Sequence, residues 1–555
     1  MGGSPYNGSS CPPPPSFIDP NNGFCAATKT FHSLRPAVPL PPPSQPISVA
    51  SYAFSLLSAS SSSSSSSPPS NPAFVDALSG GASFFYPEFL SQVRTLASSL
   101  RLRLGLRRGD VAFVLSPSCL EVPFLYFALL SVGAAISPSN PASTPQEISR
   151  QFQLSRPSVA FTTSRDAHKL ETFGVATVLF DSQLFRSLLN ESKETDSSKR
   201  DDDSGIVHQS DVAAILYSSG TTGVPKAGAI THRAFIAMIA GFHALRREGA
   251  GPRQVALLAA PAFHAMGFFH LLKGVALGET TVVVNRMGLE DMLRAAQRHG
   301  VTQMTAAPPT VLAMSRWDGP ADLRALESVM CGGAPLPEEV ARRFVARFPW
   351  VVLQQVRAFF PGTSARDKWN TAGCGYGSTE GGGISRPITR EESRRFRSVG
   401  RLNENFEARI VDHDSGEAVG VGRPGELWVR GPHVMMGYLD DEEANAKTFA
   451  PGSWLKTGDL CFFDRDGFLF IVDRLKEMIK YPNEEAGEIP MAFVVKQQGS
   501  TLTEHEVMEF AAKQVAPYKK IRKVAFINSI PKSASGKILR RTLATEAVST
   551  SVSRL

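Results

Sequence analysis

A run of small and hydroxyl-bearing residues, Tyr217-Ser218-Ser219-Gly220-Thr221-Thr222-Gly223-Val224-Pro225-Lys226, follows directly on a strand-like stretch, Ala213–Tyr217. A strand that ends in such a run leaves backbone N–H groups and hydroxyls free to surround phosphate oxygens. Glycines let the backbone approach an anion, and Lys226 supplies a mobile positive charge. Ser218, Ser219, Gly220, Thr221, Thr222, Gly223 and Lys226 are therefore candidate phosphate-binding residues. The run is not a Walker A loop. Lys226 follows a proline, and Ala227 stands where Ser or Thr would hold magnesium.

The chain around this run reads as α/β. Val111–Leu115 and Val159–Thr162 are strand-like, and Cys119–Val132 has helical spacing between them. Such alternation predicts a mainly parallel sheet. At 555 residues the chain exceeds what one core usually supports, so two or more domains are expected. Residues 1–72 read as a Pro/Ser-rich lead-in and loop, with Pro12–Pro15, Pro41–Pro43 and the run Ser60–Ser67. Residues 73–472 carry the α/β pattern, and 473–555 read as a small C-terminal domain beyond a hinge at Asp473-Arg474-Leu475-Lys476. The charged stretch Asn190–Ser204 reads as an exposed loop. Gly-punctuated strands near Leu427–Arg430 and Leu469–Val472 suggest a small barrel or sheet appended to the core.

Composition narrows the function. A net charge of +7, with its basic residues scattered, suits anionic small ligands and gives no nucleic-acid footprint. Cys11, Cys25, Cys119, Cys331, Cys374 and Cys461 form no C-x-x-C pair, which points to a reducing compartment without a zinc site. The apolar stretch Val122–Ile136 is too short to span a bilayer, so no transmembrane segment is expected. No secretory signal is evident at the start. The final Ser553-Arg554-Leu555 differs from the peroxisomal Ser-Lys-Leu address by one like-charged residue, so peroxisomal import through its receptor is expected, with a cytoplasmic location as the alternative.

With the early stretch Phe31-His32-Ser33-Leu34-Arg35-Pro36, the phosphate run resembles the adenylate-forming superfamily of acyl-CoA synthetases, luciferases and peptide-synthetase adenylation domains. Within it the likeness is to plant 4-coumarate–CoA ligases and their peroxisomal ligase-like relatives, and it covers Ile18 to Leu543. The resemblance implies a large N-terminal domain of two α/β subdomains plus a small β-barrel, and a small mobile α+β C-terminal domain. It implies ATP, Mg²⁺ and CoA, and an acyl-adenylate intermediate. In Gly375-Tyr376-Gly377-Ser378-Thr379-Glu380, it assigns Tyr376, with Gly377, to adenine, Thr379 to the α-phosphate, and Glu380 to Mg²⁺. Asp459, in Trp454–Asp459, and Arg474 would hold the ribose, and Lys476 and Lys480 lie at and beyond the hinge on the nucleotide side. Gly333 and Ala334, in Cys331–Leu336, would line the adenine and acyl pockets. His264, after Pro261-Ala262-Phe263, would close the acyl pocket. Lys537, in Pro531–Ile538, would be the catalytic lysine that stabilises charge between carboxylate and α-phosphate.

Three departures from the family pattern stand out. Ala227 replaces a glycine, a mild change if the local φ is negative. Val356–Cys374 are extra residues between Gln355 and Gly375, which the family joins directly. After Tyr481 a strand, helix and strand are missing, and Pro482-Asn483-Glu484-Glu485 follows at once, so the C-terminal domain reads as incomplete. The acid is a hydroxycinnamate or, because Gly381-Gly382-Gly383 leaves space, a longer fatty or cyclopentanone acyl acid. Two alternatives stay open. One is an impaired isoform that binds ATP and acid but makes little acyl-CoA; the other is an adenylate-former with a non-CoA acceptor.

Overall fold

The computed structural model describes residues 17–59, 69–77, 82–190, 206–218, 226–245, 254–285, 287–332, 336, 338–357, 374–393, 395, 398–474, 479–483, 487–497, 499–512, 521–531 and 543. Among these, four sheets organise the chain. The first runs in the order Gly437–Tyr438, Lys226–Thr231, Val212–Ser218, Ala135–Ser139, Val111–Leu115, Val159–Thr162, Ala176–Leu179. It is parallel except at the Lys226–Thr231 and Gly437–Tyr438 edge. The second, of ten strands, has a parallel centre: Cys374–Ser378, Val352–Arg357, Ser328–Cys331, Gln303–Ala306, Val255–Leu258, Thr280–Val283 and Pro72–Asp76. The third is an eight-stranded antiparallel sheet that includes Glu407–Val411, Gly425–Arg430, Trp454–Phe463 and Leu469–Arg474. It stands where a small barrel or sheet was expected. The fourth joins Ile479–Asn483, Gly487–Val494 and Lys523–Phe526.

Sequence dictates these elements locally. Val111–Leu115 and Val159–Thr162 form strands as their apolar runs predict, because both faces of a covered parallel strand are buried. The helix Glu121–Val132 is apolar all round and buried along nearly its whole length. Gly133 ends it at φ 80°, where a Cβ would also come within 2.9 Å of a Val207 methyl. No described helix is long and apolar enough to cross a membrane.

The stretch read as a lead-in is corrected in part. Phe24–Cys25 and Thr30–His32 pair with each other and then with Glu407–Val411 in the third sheet. Val49–Ala59 is a helix whose Val49, Ala50, Ala53 and Leu57 are buried in the main core. Beside it Phe89 meets Phe74, Phe124 and Phe127 at centroid distances of 5.0, 5.1 and 5.5 Å, all edge-on. Each such pair adds about 0.5–1.5 kcal/mol beyond its buried area. Proline-rich composition hid these elements because their order comes from tertiary pairing and small-residue packing.

The buried His232 anchors that helix: the Val49 N–H donates to His232 Nδ1 at 3.1 Å. Burial, opposed by Asp211, pushes the imidazole down to about 4. The unfolded chain therefore takes up this proton first as the pH falls. Stability is full above pH 6.5 and is lost toward pH 4, by about 3 kcal/mol for this one group. His270 and His433, pushed by burial to about 3, add in the same direction. The thermal-unfolding midpoint is expected to drop steadily between pH 7 and 5. A flat midpoint across that window would show that these histidines are not held neutral.

Candidate active site

Two sheets converge where the phosphate run begins and ends. The register of Val212–Ser218 against Lys226–Thr231 sets Ser218 opposite Lys226, closing the neck of the intervening segment. Ser219, Gly220, Thr221, Thr222 and Gly223 lie outside the described residues. Ala227 pairs with Tyr217 in this strand, is 1% exposed and has no positive φ, so the change from glycine is accommodated.

Residues 435–439 tie this strand to the hairpin of the second motif. Met436 N–H donates to the Ala229 carbonyl and Leu439 N–H to that of Ala227, both at 2.9 Å, while Met435 N–H donates to the Glu380 carbonyl at 2.8 Å. Three predicted residues thereby share one place. Tyr438 OH donates to Glu380 Oε1 at 2.8 Å, and Lys226 Nζ stands 4.9 Å over the Tyr438 ring. Thr379 lies against the same strand, its methyl 3.9 Å from where a Gly228 Cβ would be. Burial and then the Glu380 charge push the Tyr438 phenol well above its ordinary range, so it stays a donor. Tyr438 carried no sequence signal beyond a lone tyrosine after glycine.

The adenine and ribose residues sit differently. Gly377 is required by the hairpin, since a Cβ there would meet the Gly382 carbonyl oxygen at 2.4 Å. Tyr376 is 2% exposed and packs in the third sheet's core with Ile384, Leu427 and Leu455. Its hydroxyl donates to Asp459 Oδ2, and Asp459 is likewise 2% exposed. Burial first, then the Asp459 charge, raises the Tyr376 phenol, which keeps the proton on the tyrosine. The residues expected to flank a nucleotide are thus joined to each other. Asp459 also pairs with Arg474 in strand register.

The strand order sets this placement. Val352–Arg357 and Cys374–Ser378 pair in parallel, Val356 opposite Gly375 and Arg357 opposite Tyr376. Parallel neighbours need a connection of about a dozen residues or more, which residues 358–373 supply. Joined directly, Gly375–Ser378 would prolong the Val352 strand beside Ser328–Cys331. Here they form a separate strand one position outward, about 4.8 Å away.

His264 is exposed and caps the helix Ala265–Ala276, its Nδ1 accepting from Met266 N–H at 3.4 Å. Lys480 is placed in the strand Ile479–Asn483 by its backbone. Gly333, Ala334, Lys476 and Lys537 lie outside the described residues. Among the described residues no group of three or more His, Cys, Asp or Glu could hold a metal.

Comparison with known proteins gives the class. Residues 62–439 match the AMP-binding enzyme family and residues 479–537 its C-terminal domain, and the chain belongs to that family. Among its relatives, 4-coumarate–CoA ligase-like 6 of Oryza sativa subsp. japonica is 45% identical over 583 aligned positions, covering 96% of this chain and 93% of that one. The Arabidopsis thaliana 4-coumarate–CoA ligase-like 9 is 43% identical, covering 97% and 98%. Peroxisomal OPC-8:0-CoA ligase 1 of the same plant is 36% identical, covering 96% and 99%. The fold matches ATP-bound MatB from Rhodopseudomonas palustris with a TM-score of 0.71, at 20% identity over 90% of this chain and 99% of that one. The o-succinylbenzoate CoA synthetase of Bacillus subtilis, in complex with its acyl-adenylate, matches at 0.68, with 23% identity over 90% and 98%.

Proposed function

We propose that this chain is an ATP-dependent carboxylic acid–CoA ligase that works through an acyl-adenylate. The observation that carries the reading is the convergence of Lys226, Thr379 and Glu380 at the neck of the phosphate run. Lys226 would neutralise phosphate charge, and the Thr379 hydroxyl would donate to the α-phosphate. Glu380 suits Mg²⁺, which is commonly held by one carboxylate and the substrate's phosphates. Bound there, the ion would offset phosphate charge. Tyr438 leaves Glu380 one oxygen for that use and fixes its direction. Acid-dependent exchange of pyrophosphate into ATP tests the reading, and its absence over a broad panel of acids overturns it.

The same geometry favours impairment. A ribose would use the Asp459 carboxylate, and Tyr376 already engages one of its oxygens. The rice relative's alignment has more positions than this chain has residues, so that protein carries segments this one lacks. Both points support an isoform that activates acids slowly and makes little acyl-CoA. Tyr376→Phe removes the competing donor while keeping the ring, and ATP affinity is expected to rise about tenfold. Equilibrium dialysis with ATP measures it; unchanged affinity counts against the occlusion.

Peroxisomal import belongs to the same proposal, supported by Ser553-Arg554-Leu555 and by the relative named as peroxisomal. The tripeptide lies outside the described residues. An N-terminal fluorescent fusion should be punctate and become diffuse without Leu555; a diffuse signal with the tripeptide intact counts against import.

A further inference from the structure

The strand Gly437–Tyr438 is the outer edge of the first sheet and only two residues long. On its inner side Met436 and Leu439 donate to the Ala229 and Ala227 carbonyls, with Tyr438 opposite Gly228. The N–H and carbonyl of Tyr438 therefore point away from the sheet, where an edge strand offers them no ladder partner. A single side chain supplies both. Asn445 Oδ1 accepts from the Tyr438 N–H at 2.7 Å, and Asn445 Nδ2 donates to the Tyr438 carbonyl at 2.7 Å. One backbone donor and one backbone acceptor fix which way the amide faces.

Asn445 is set in place by its own helix, Glu442–Thr448. The Asp441 side chain caps that helix by accepting from the Ala444 N–H at 2.9 Å, and the Asn445 N–H donates to the Asp441 carbonyl at 2.9 Å. Straight after the helix, Phe449 and Ala450 pair with Leu455 and Trp454 in the third sheet. Their partner strand, Trp454–Phe463, is the one that carries Asp459. The amide comes close because position 437 has no side chain: a Cβ on Gly437 would lie 3.0 Å from Asn445 Oδ1. A helix tied to the Asp459 strand at one end thus grips the edge strand of the phosphate side through one amide.

What the amide holds is Tyr438, whose phenol reaches two residues of the proposed ATP site. Its hydroxyl donates to Glu380 Oε1 at 2.8 Å, and Lys226 Nζ stands 4.9 Å over its ring. Ring and hydroxyl follow the Tyr438 backbone, and so short an edge strand has few ladder bonds of its own to fix it. We propose that Asn445 is a positioning residue of the ATP site, holding Tyr438 so that Lys226 and Glu380 keep a fixed spacing. This deepens, and rests on, the acid-activating reading. Asn445 acts through Tyr438 and not by contact with the nucleotide. Leucine shares its branching but has neither polar group, so the link can be cut at nearly constant shape.

Equilibrium dialysis of the full chain against ATP, with thermal melting followed alongside, tests this. Asn445→Leu is expected to weaken ATP binding about tenfold, the effect of leaving two half-buried backbone groups unmatched. Should that variant fail to fold, Asn445→Asp keeps the acceptor, loses only the donor, and is expected to bind ATP about threefold more weakly. Tyr438→Phe keeps the ring beneath Lys226 but releases Glu380. In that background Asn445→Leu should cost about threefold or less, because part of what the amide holds is already gone. A purely structural Asn445 would lower the melting midpoint and cost the same factor in both backgrounds. Parent-like ATP affinity in the Asn445 variants, or equal costs in the two backgrounds, overturns the positioning role and leaves the ATP site in place. Absence of ATP binding by the parent chain overturns the acid-activating reading and this inference with it.

Discussion

Lys226→Ala is expected to lower acid-dependent pyrophosphate exchange by about two to three orders of magnitude, the usual effect of removing one preorganised charge donor from a reaction centre. The geometry gives Lys226 this weight. It is held at the neck of the phosphate run by strand pairing with Ser218, and its ammonium stands over the Tyr438 ring. Tyr438 in turn holds Glu380, so Lys226 and the carboxylate proposed for Mg²⁺ share one scaffold. Thr379→Val separates chemistry from packing at the same place. The methyl beside Gly228 is kept while the hydroxyl is lost, so folding should be retained and exchange should fall about a hundredfold. Exchange at the parent rate in both variants would falsify the assignment of the ATP site. Loss with Lys226→Ala alone would move the α-phosphate contact away from Thr379.

How much of this was legible in the sequence depends on how local each feature is. Val111–Leu115 and Val159–Thr162 were readable because a doubly covered strand is written as an unbroken apolar run. The phosphate strand and the hairpin Gly375–Glu380 were readable because glycine and hydroxyl residues at fixed spacing have few other uses. The helix Val49–Ala59 was missed because its buried face uses Val49, Ala50 and Ala53, too small to stand out beside a serine run. Tyr438 was missed because its role comes from a two-residue edge strand, below any periodicity. The Tyr376–Asp459 bond was not legible either. It joins residues 83 positions apart, and it depends on which strand neighbours which and not on the motif itself.

Excising Val356–Cys374 and inserting a family-like segment between Lys480 and Pro482 is expected to raise CoA thioester formation well above that of the unedited chain. Each change acts on a different obstacle. The excision should return Gly375–Ser378 to the end of the Val352 strand, which would withdraw Tyr376 from Asp459 and free that oxygen for a ribose hydroxyl. A hydrogen bond to a charged group contributes about 1.5–3 kcal/mol, so nucleotide affinity alone should rise about tenfold or more. The insertion acts on the C-terminal lobe. Its sheet now turns back directly after Asn483, with Lys480 opposite Pro490 and Pro482 opposite Glu488, and each proline removes a ladder donor. Its helix Glu504–Ala512 has no buried residue, and Phe510 on it is 70% exposed. A lobe this small has little stability to spare. A strand, helix and strand returned after Lys480 should add core and steady the lobe that carries Lys537. The two edits should therefore be separable: excision alone restores ATP binding and pyrophosphate exchange, and only both together restore the thioester, followed by acyl-CoA release on chromatography. If the unedited chain already forms acyl-CoA as fast as the doubly edited one, neither the displaced strand nor the missing segment limits the reaction.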